Sequence, residues 1–515
     1  MKKYALFSLS DKTNVETLAM ALEKQGYTIL STSNTARHLK KFCNQVVEVS
    51  DVTGFEEILD GRVKTLHPVI HGGILADRDD PAHMQTLKDK GIGQIDVVVV
   101  NLYPFAQKRI ENRGDHNLII ENIDIGGPAM IRAAAKNYRH VLVLTDPLDY
   151  PPTLEMMESE AGVPEAWRLY LAHKAFELSA AYDFQIMDYL SEHHLDTAPS
   201  TEMPHSLDLT FTLNQKLRYG ENPHQNAGLY VDRKEGWKCL HGKELSFNNI
   251  LDIDSSLKMV RLFEEPTVVI TKHTTPCGVG SADKLAEAYR KAFAADNISP
   301  FGGIVAVNRP LDLETAVCIN SIFTEIIIAP DYEPGVLEVL VKKKNRRLIQ
   351  YDPQLLVKPA HPYEFRTMWW GLLAQEWDLI GEDYSNWKVV TREKPSSDQF
   401  EALIWGWKVV SQLRSNAIAL TGKDQTLGLG MGQTSRVDAA EIAIWKAKKF
   451  GHDLSSAVCA SDGFFPYRDS VDVLYRAGVR AIIQPGGSKA DDEIIQACNE
   501  LDIAMVFTGV RHFRH

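Results

Sequence analysis

The chain has 515 residues, which is too long for a single hydrophobic core and predicts two or more domains. Its composition is that of a globular protein, and its net charge of -12 argues against a general nucleic-acid or membrane-surface binder, because such partners need a basic footprint. The six cysteines are scattered without CxxC spacing, and we find no apolar run as long as a membrane span, so we expect reduced thiols and a cytoplasmic protein.

Strands and helices are predicted to alternate over the first two hundred residues. The predicted strands are 5–8, 27–30, 46–49, 96–101 and 141–144. A long helix is predicted from about 165 to 192. This alternation indicates an α/β fold with a parallel sheet covered by helices, in which ligands bind at the carboxyl ends of the strands.

A polar stretch without periodicity separates this region from the rest of the chain. It contains two prolines and several small polar residues, so we assign a linker at 196–210 between domains at 1–195 and 211–515. The second region again alternates. Its predicted strands are 268–270, 304–307, 326–328, 457–460, 481–483 and 504–507. Its predicted helices include 282–295, 398–413, 437–449 and 490–499.

A segment rich in cations and histidines follows the third predicted strand. GRVKTLHPVIHGGILA (61–76) contains, between glycines and a proline, Arg62, Lys64, Thr65, His67 and His71. Any one of these residues fits a charged surface loop, but the whole set indicates a ligand-binding turn. The histidines have i,i+4 spacing, yet the proline between them disfavours a shared helical face and no carboxylate accompanies them, so we predict no metal site here.

A second turn of the N-terminal region indicates an anion or oxyanion site. In ENIDIGGPAMIRAAAKN (121–137), Gly126 and Gly127 precede Pro128, which suits the first position of a helix. The free amides of such a helix start bind anions and developing oxyanions. Gly-Gly-Pro alone is a common helix start, and its neighbours make it a candidate site. These neighbours are Asp124, Tyr103 and Lys64.

In the C-terminal region a lysine and a histidine stand side by side after a buried strand. On an extended strand Lys272 and His273 would face opposite ways, but the Thr275-Pro276 break after them lets the backbone rotate so that both reach one cleft. A neighbouring ammonium group favours a neutral imidazole, the form that a general base needs. Alone, the pair also fits a solvated strand end. The string lacks the glutamate and second cysteine of zinc deaminases, so we predict no zinc.

Two further segments carry polar turns. GLGMGQTSRVDAA (428–440) looks like a dinucleotide fingerprint, but it lacks the third glycine and the later ribose-binding acid. Its Gln433, Ser435 and Arg436 indicate contacts to a polar ligand instead. The C-terminal TGVRHFRH (508–515) directly follows a predicted strand, so we expect it to be held at a sheet edge rather than frayed.

Taken together, these strings resemble the bifunctional aminoimidazole carboxamide ribonucleotide (AICAR) transformylase and inosinate (IMP) cyclohydrolase family. The match runs almost end to end through GRVKTLHP, NLYPF, ENIDIGGPAMIRAAAKN, LRYGENPHQ, SNAI, SDGFFP, QPGGS and TGVRHF. The resemblance implies an N-terminal methylglyoxal-synthase-like domain for ring closure and a C-terminal transformylase of two cytidine-deaminase-like modules. It also implies a homodimer with transformylase sites at the subunit interface, and 10-formyltetrahydrofolate as formyl donor without a metal or redox cofactor.

The resemblance implies roles for individual residues. His273 accepts a proton from the 5-amino group of AICAR, Lys272 tunes His273 and assists the departing folate nitrogen, and Asn416 holds the carboxamide. The other implied transformylase contacts are Arg218, Tyr219, Phe301, Gly302, Glu325, Gln433, Arg436, Phe465, Pro466, Arg511, Phe513 and His515. The implied catalytic residues of ring closure are Lys64, Tyr103, Asp124 and Lys136. The implied binding residues of that domain are Ser8, Ser10, Lys12, Ser31, Thr32, Thr35, Arg62, Thr65, Gly126 and Gly127.

One departure from the family pattern bears on ring closure. The Ser-Thr-Gly-Gly-Thr phosphate turn reads Ser31-Thr32-Ser33-Asn34-Thr35 here, which adds bulk where amides should approach a phosphate. Three interpretations therefore stay open: a bifunctional enzyme, a transformylase that closes rings slowly, and a catalytically silent nucleotide-binding protein. The retained lysine–histidine pair argues against the third.

Overall fold

A computed structural model of the chain describes residues 2–112, 114–194, 203, 207, 209, 211–231, 236–379 and 384–515. The chain divides into two compact units, Met1–Leu209 and Thr210–His515. The predicted linker at 196–210 lies outside the described residues except for 203, 207 and 209. Within the described ranges, we find no helix with both the length and the apolar character to cross a membrane.

The first unit alternates strands and helices, which confirms the predicted α/β class. Its strands are β1 Lys3–Ser8, β2 Thr28–Ser31, β3 Val46–Glu48, β4 Gln94–Val100 and β5 Leu142–Leu144. Its helices are α1 Val15–Lys24, α2 Ser33–Leu39, α3 Val49–Thr53, α4 Pro68–Leu75, α5 Pro81–Asp89, α6 Phe105–Glu111, α7 His116–Glu121, α8 Gly126–Lys136, α9 Tyr150–Glu158 and α10 Glu165–His194.

The strand order of this unit determines where a ligand can bind. The order is β3-β2-β1-β4-β5 and every neighbouring pair is parallel. The apolar run of β4 is buried along most of its length, as expected of a parallel strand covered on both faces. The chain winds from β1 to β3 in one direction and then returns to β4 on the other side of β1. A crevice therefore opens at the carboxyl ends of β1 and β4.

The second unit contains more strands than the sequence predicted. Its strands are β6 Thr212–Leu217, β7 Ala227–Val231, β8 Trp237–His241, β9 Thr267–Lys272, β10 Thr275–Ser281, β11 Ile304–Val307, β12 Ile326–Ala329, β13 Arg347–Tyr351, β14 Tyr363–Met368, β15 Gly371–Glu376, β16 Lys388–Val389, β17 Ile418–Thr421, β18 Thr426–Gly430, β19 Val458–Ser461, β20 Ala481–Gln484 and β21 Ala504–Phe507. Its helices are α11 Phe247–Val260, α12 Leu285–Ala295, α13 Leu313–Asn320, α14 Val336–Leu340, α15 Ser397–Val410, α16 Arg436–Lys449, α17 Asp469–Ala477 and α18 Asp491–Glu500.

These elements build two modules of the same topology. One six-stranded sheet has the order β10-β9-β11-β12-β13-β8, and the other has the order β18-β17-β19-β20-β21-β16. In both orders the third and fourth neighbouring pairs are parallel and the other three are antiparallel. The second unit thus contains two mixed six-stranded sheets, in agreement with the two modules that the resemblance implies, and the two-stranded sheets β6-β7 and β14-β15.

The same glycine pattern brings one helix against the edge of each sheet. A Cβ on Gly280 of β10 would collide with the backbone oxygen of Ala288 in α12, and a Cβ on Gly430 of β18 would collide with that of Ala439 in α16. The glycines of the GLGMG string therefore allow close packing of helix on strand. This packing role explains the string without a dinucleotide.

Candidate active sites

A cavity of about 870 Å³ opens in the first unit at the crevice between β1 and β4. The loop after β1, the start of α2, the turn at 61–65, the segment after β4 and the start of α8 line it. Its walls include the predicted residues Ser8, Ser10, Lys12, Thr32, Thr35, Arg62, Lys64, Thr65, Tyr103, Asp124, Gly126 and Gly127. Residues from five distant segments therefore meet in one site.

Two helices begin at this cavity. α2 starts at Ser33 and α8 starts at Gly126, so the free amides and positive dipole ends of both helices favour an anion there. Ser33 and Asn34 belong to the right-handed helix α2, a conformation that every L-residue adopts. The replacement of the two family glycines therefore introduces no backbone strain, although the added side chains still line the cavity.

Asp124 is the partly buried carboxylate of this site. Its Oδ1 accepts the N–H of Gly127 at 2.9 Å, and its own N–H donates to the Tyr182 hydroxyl at 2.8 Å. Burial raises the pKa of Asp124 above the ordinary aspartate value, although the Gly127 N–H and the Lys64 ammonium act in the opposite direction. A Cβ at position 127 would lie 2.5 Å from Asp124 Oδ2, so any larger residue there would displace the carboxylate. Asp124 is thus a fixed carboxyl group that can exchange a proton with a bound ligand.

Two residues predicted for this site lie elsewhere. Lys136 is the exposed last residue of α8, about 15 Å along the helix axis from the helix start at the cavity. Ser31 is fully buried and its Oγ donates to the carbonyl of Phe7 at 2.9 Å, so its hydroxyl bridges β1 and β2. Within this chain the cavity is built without either side chain.

Asn101 belongs to the cavity wall, and sequence reasoning missed it. Its Oδ1 accepts the N–H of Ser10 at 2.7 Å, and its Nδ2 donates to the carbonyl of Asp11 at 2.7 Å. The side chain therefore holds the loop after β1 in place. Its position directly after the apolar run of β4, at the carboxyl end of a parallel strand, is the sequence signal that could have identified it.

In the second unit, Lys272 and His273 lie at a tight hairpin between β9 and β10. Lys272 pairs with Thr275, which leaves His273 and Thr274 as the two residues of the turn, with φ of 55° and 58°. Two left-handed central residues define a type I′ turn. The backbone rotation thus occurs at His273 itself and not at the predicted Thr-Pro break, because Thr275 and Pro276 already belong to β10. The His273 side chain is exposed at the hairpin tip.

Three other predicted transformylase residues lie close to this hairpin. Lys272 Nζ donates to the carbonyl of Phe301 at 2.9 Å, which fixes the ammonium beside the Phe301-Gly302 turn. The backbone N–H of Glu325 donates to the carbonyl of Gly303, directly after that turn, at 2.9 Å. The Glu325 carboxylate pairs with Arg347 at 2.8 Å. One end of the first module therefore carries the predicted catalytic pair, an exposed aromatic ring and a carboxylate.

A smaller cavity of about 320 Å³ lies in the second module. Asn416 and Arg436 line it, and Arg436 Nη2 donates to Asn416 Oδ1 at 2.7 Å. Arg436 is itself buried and forms an ion pair with the buried Asp462. The Nδ2 of Asn416 donates to the carbonyl of Gln433 at 3.0 Å. The predicted polar residues Asn416, Gln433 and Arg436 are thus hydrogen-bonded to one another. The buried ion pair of Arg436 with Asp462 orients the Asn416 amide.

Two predictions for this region need correction. The Phe465 ring is fully buried in the core, and it is Phe464 and Pro466 that line the cavity. The Gln433 side chain does not line the cavity either, because its Nε2 donates to the carbonyl of Met431 at 2.9 Å. Of these two adjacent phenylalanines, only Phe464 therefore contributes to the cavity wall.

The C-terminal tail closes one side of this cavity. Phe513 lines it, and the Arg511 guanidinium lies 4.6 Å from the centre of the Phe513 ring. The backbone of Arg514 bonds to Ser415, and the carbonyl of His515 accepts a bond from Arg366 at 2.6 Å. The tail is therefore held, but by the loop at Ser415 and by Arg366 of β14 rather than at the edge of the sheet that contains β21, since β21 lies between β16 and β20.

Arg218 and Tyr219 follow β6 in the LRYGENPHQ segment. The guanidinium of Arg218 stacks on the Tyr219 ring at 4.6 Å from its centre, and its Nη2 donates to the Tyr219 hydroxyl at 2.8 Å. The same segment reaches α11, because Asn248 Nδ2 contacts the carbonyl of Glu221 at 3.4 Å. The pair offers an exposed cation on an aromatic face.

The two histidines of the 61–76 segment are a helix cap and a partly buried side chain. His67 caps α4, with its Nδ1 accepting the Val69 N–H at 3.2 Å, and burial lowers the pKa of His71. Among the described residues, a different group has ligand atoms close enough together for a metal ion, namely Asp77, Asp79 and His140. These three residues line neither cavity, and His140 pairs with Asp77 at 3.1 Å.

Comparisons with known proteins agree with this arrangement. The AICARFT/IMPCHase bienzyme family matches residues 134–446, and the MGS-like domain matches residues 14–129. The bifunctional purine biosynthesis protein PurH of Acetivibrio thermocellus is 47% identical over 100% of both chains. Proteins of that name from Chlorobium phaeobacteroides and Persephonella marina are 48% and 46% identical, over 100% of this chain and 99% and 100% of their own. The resemblance predicted from the sequence is confirmed: the chain belongs to the AICARFT/IMPCHase bienzyme family and is a bifunctional AICAR transformylase and IMP cyclohydrolase of purine biosynthesis.

Proposed function

We propose that the two activities are divided between the two units, with ring closure in the cavity of the first unit and formyl transfer at the His273 hairpin of the second. The observation that carries this division is that each unit has its own set of polar groups suited to one reaction. The first has Lys64, Asp124 and two helix starts around one cavity. The second has an exposed imidazole beside a fixed ammonium group.

For formyl transfer, we propose 10-formyltetrahydrofolate as the donor. The 5-amino nitrogen of AICAR attacks the formyl carbon, a carbon–nitrogen bond forms, and the bond from that carbon to the folate nitrogen breaks. His273 accepts the proton that the amine loses, and Lys272 assists protonation of the departing folate nitrogen. The exposure of His273 and the hydrogen bond that fixes Lys272 to Phe301 at 2.9 Å support these roles.

For ring closure, the carboxamide nitrogen attacks the formyl carbon that the first reaction installed. The new carbon–nitrogen bond closes the ring, and the formyl oxygen leaves as water after taking up protons. The Lys64 ammonium and the amides at the start of α8 stabilise the negative charge that develops on this oxygen, and Asp124 exchanges protons with it. Neither reaction changes an oxidation state, so neither requires a redox cofactor.

A folate analogue that lacks the formyl group tests the division. Such a compound should block formyl transfer from 10-formyltetrahydrofolate to AICAR, because it occupies the donor position. It should leave the conversion of separately supplied formyl-AICAR to IMP at its original rate. Inhibition of both reactions at the same concentration would contradict two separate sites.

We also propose that the chain forms a homodimer through its second unit. Among the strands of the described residues, β14 and β15 pair only with each other, and the turn between them exposes Trp369 fully and Trp370 to 82%. Such an apolar tip is typical of a protein interface. Replacing both residues by serine should shift sedimentation from dimer to monomer. Trp445→Ser, which alters an exposed tryptophan of α16, should leave the dimer intact.

The state of the cysteines bears on the cellular compartment of the protein. All six cysteines are free thiols, and three of them are buried, namely Cys43, Cys459 and Cys498. Thiols in this state fit a reducing compartment, and we propose the cytoplasm. Cell fractionation with an antibody against the chain checks this location.

A further inference from the structure

The hairpin that carries His273 has an unusual composition for its geometry. Its central residues, His273 and Thr274, both have left-handed backbone conformations, with φ of 55° and 58°. Type I′ turns normally place Asn, Asp or Gly at these positions, because a β-branched residue such as threonine is disfavoured there. The turn therefore depends on contacts from outside the hairpin to keep its shape.

Helix α11 supplies these contacts from one face. Asn249, Asp252 and Ser255 follow one another at intervals of three residues, so their side chains line the same side of the helix. The Asp252 carboxylate accepts the backbone N–H of Thr274. Ser255 Oγ donates to the carbonyl of Thr274 at 2.8 Å. Both backbone polar groups of Thr274 are thus bound by α11.

The hydrogen bonds of Asp252 and Ser255 to Thr274 form a clamp on the hairpin. The surroundings of Asp252 connect this clamp to the rest of the site. Asp252 is partly buried, and burial raises its pKa, whereas the Thr274 N–H and the nearby His273 lower it and Glu325 raises it. On the preceding turn of the helix, Asn249 Nδ2 donates to Glu325 Oε1 at 3.2 Å. One helix face therefore contacts the hairpin and the carboxylate beside it at once.

We propose that Asp252 is a positioning residue of the transformylase, which holds the His273 hairpin in the left-handed conformation that directs the imidazole toward the substrate. Asp252 does not itself touch the reacting atoms in this proposal. The inference rests on the proposed role of His273 as the proton acceptor. It adds to that role a residue that no motif in the sequence singled out.

Asp252→Asn tests the proposal with little change of shape. Asparagine turns one of the two carboxylate oxygens into a donor group and removes the negative charge, so it holds the Thr274 N–H more weakly than the carboxylate does. We expect the kcat of formyl transfer to fall by about 10- to 100-fold, with the KM for AICAR changed by less than about three-fold. Ring closure, which we assign to the first unit, should be unchanged on the same preparation, and the retained KM for AICAR shows that the second unit is folded.

Asp254→Asn is the matched control on the same helix. Asp254 is exposed, and its carboxylate pairs with Lys258 at 2.6 Å on the next turn of α11. Its replacement removes the same charge from the same helix without touching the hairpin. Formyl transfer by this variant should equal that of the unaltered enzyme, and an equal loss in both variants would overturn the proposal.

Thr274→Gly in the Asp252→Asn background provides a rescue. Glycine adopts positive φ without steric cost, so the turn should need its clamp less, and we expect kcat to recover by about five-fold or more. An unchanged kcat in Asp252→Asn, or a loss that Thr274→Gly does not reduce, would overturn the positioning role. The variant His273→Ala distinguishes a failure of the positioning role of Asp252 from a failure of the proposed role of His273. If His273→Ala retains formyl transfer, the proposed role of His273 itself is wrong.

Discussion

The two candidate sites of this chain differ in how enclosed they are. In the first unit, the ends of parallel strands and two helix starts surround a cavity of about 870 Å³. In the second unit, the imidazole of His273 stands exposed on a hairpin tip. Ring closure joins two groups of one bound nucleotide and expels water, which suits an enclosed site. Formyl transfer brings two separate substrates together, which requires an open one. Under the proposed division, the difference in architecture follows the difference in molecularity.

The largest expected effect comes from removing the exposed imidazole. His273→Ala should lower the rate of formyl transfer by about 100-fold or more, because the amine loses its proton acceptor. Ring closure should be unaffected, since the first unit has its own polar groups. Separate assays with AICAR plus 10-formyltetrahydrofolate and with formyl-AICAR check both statements. Equal loss of both activities would contradict the division between the units.

The reciprocal change lies in the enclosed site. Asp124→Asn should lower ring closure by about 10- to 100-fold, because the amide no longer exchanges a proton. Formyl transfer should continue at its original rate. The same pair of assays on one preparation gives both numbers. A loss of formyl transfer in this variant would mean that formyl transfer depends on the first unit.

The burial of Asp124 in the enclosed site should also affect the pH dependence of ring closure. Burial raises the pKa of Asp124 above 3.8, so its carboxylate form should be lost at a higher pH than that of an ordinary aspartate. The acid limb of ring closure should therefore lie above pH 3.8 and be absent in Asp124→Asn. The folded chain binds more protons than the unfolded chain between these two pKa values, so the contribution of Asp124 to stability falls as pH rises through that window.

A smaller effect is expected from the backbone that supports Asp124. In Gly127→Ala the new Cβ would lie 2.5 Å from Asp124 Oδ2 and 2.8 Å from Leu102 Cδ2, so we expect a loss of about 1–3 kcal/mol of stability together with slower ring closure. Gly72→Ala in α4 is the control, because its Cβ meets only Ile92 Cδ1 at 3.6 Å. Urea unfolding should show this control to be neutral or more stable by about 0.5–1 kcal/mol.

The smallest effect is expected at the altered phosphate turn. Ser33→Gly combined with Asn34→Gly restores the family pattern, but both residues already have a helical backbone in α2. We therefore expect ring closure to change by less than about three-fold, which is less than about 1 kcal/mol. A gain of ten-fold or more in kcat/KM would show that the two side chains obstruct the phosphate after all.

Much of the fold could be predicted because the signals are local. The predicted strands at 304–307 and 504–507 coincide with β11 and β21, and the helix predicted at 437–449 differs from α16 by one residue. Apolar runs and helical periodicity report burial directly, so these elements follow from neighbouring residues. Short antiparallel strands such as β10 and β18 were missed, since glycine-rich strands resemble turns.

The sequence by itself determined the family, the α/β class and most of the residues that surround the first cavity, because motifs and periodicity are properties of consecutive residues. Only the tertiary structure decided which of those residues meet. It removed Lys136 and Phe465 from the two cavities and added Asn101 to the first. It also showed that Asp252 clamps the hairpin of His273. Such contacts join side chains far apart in the chain, so they depend on packing that no local pattern encodes.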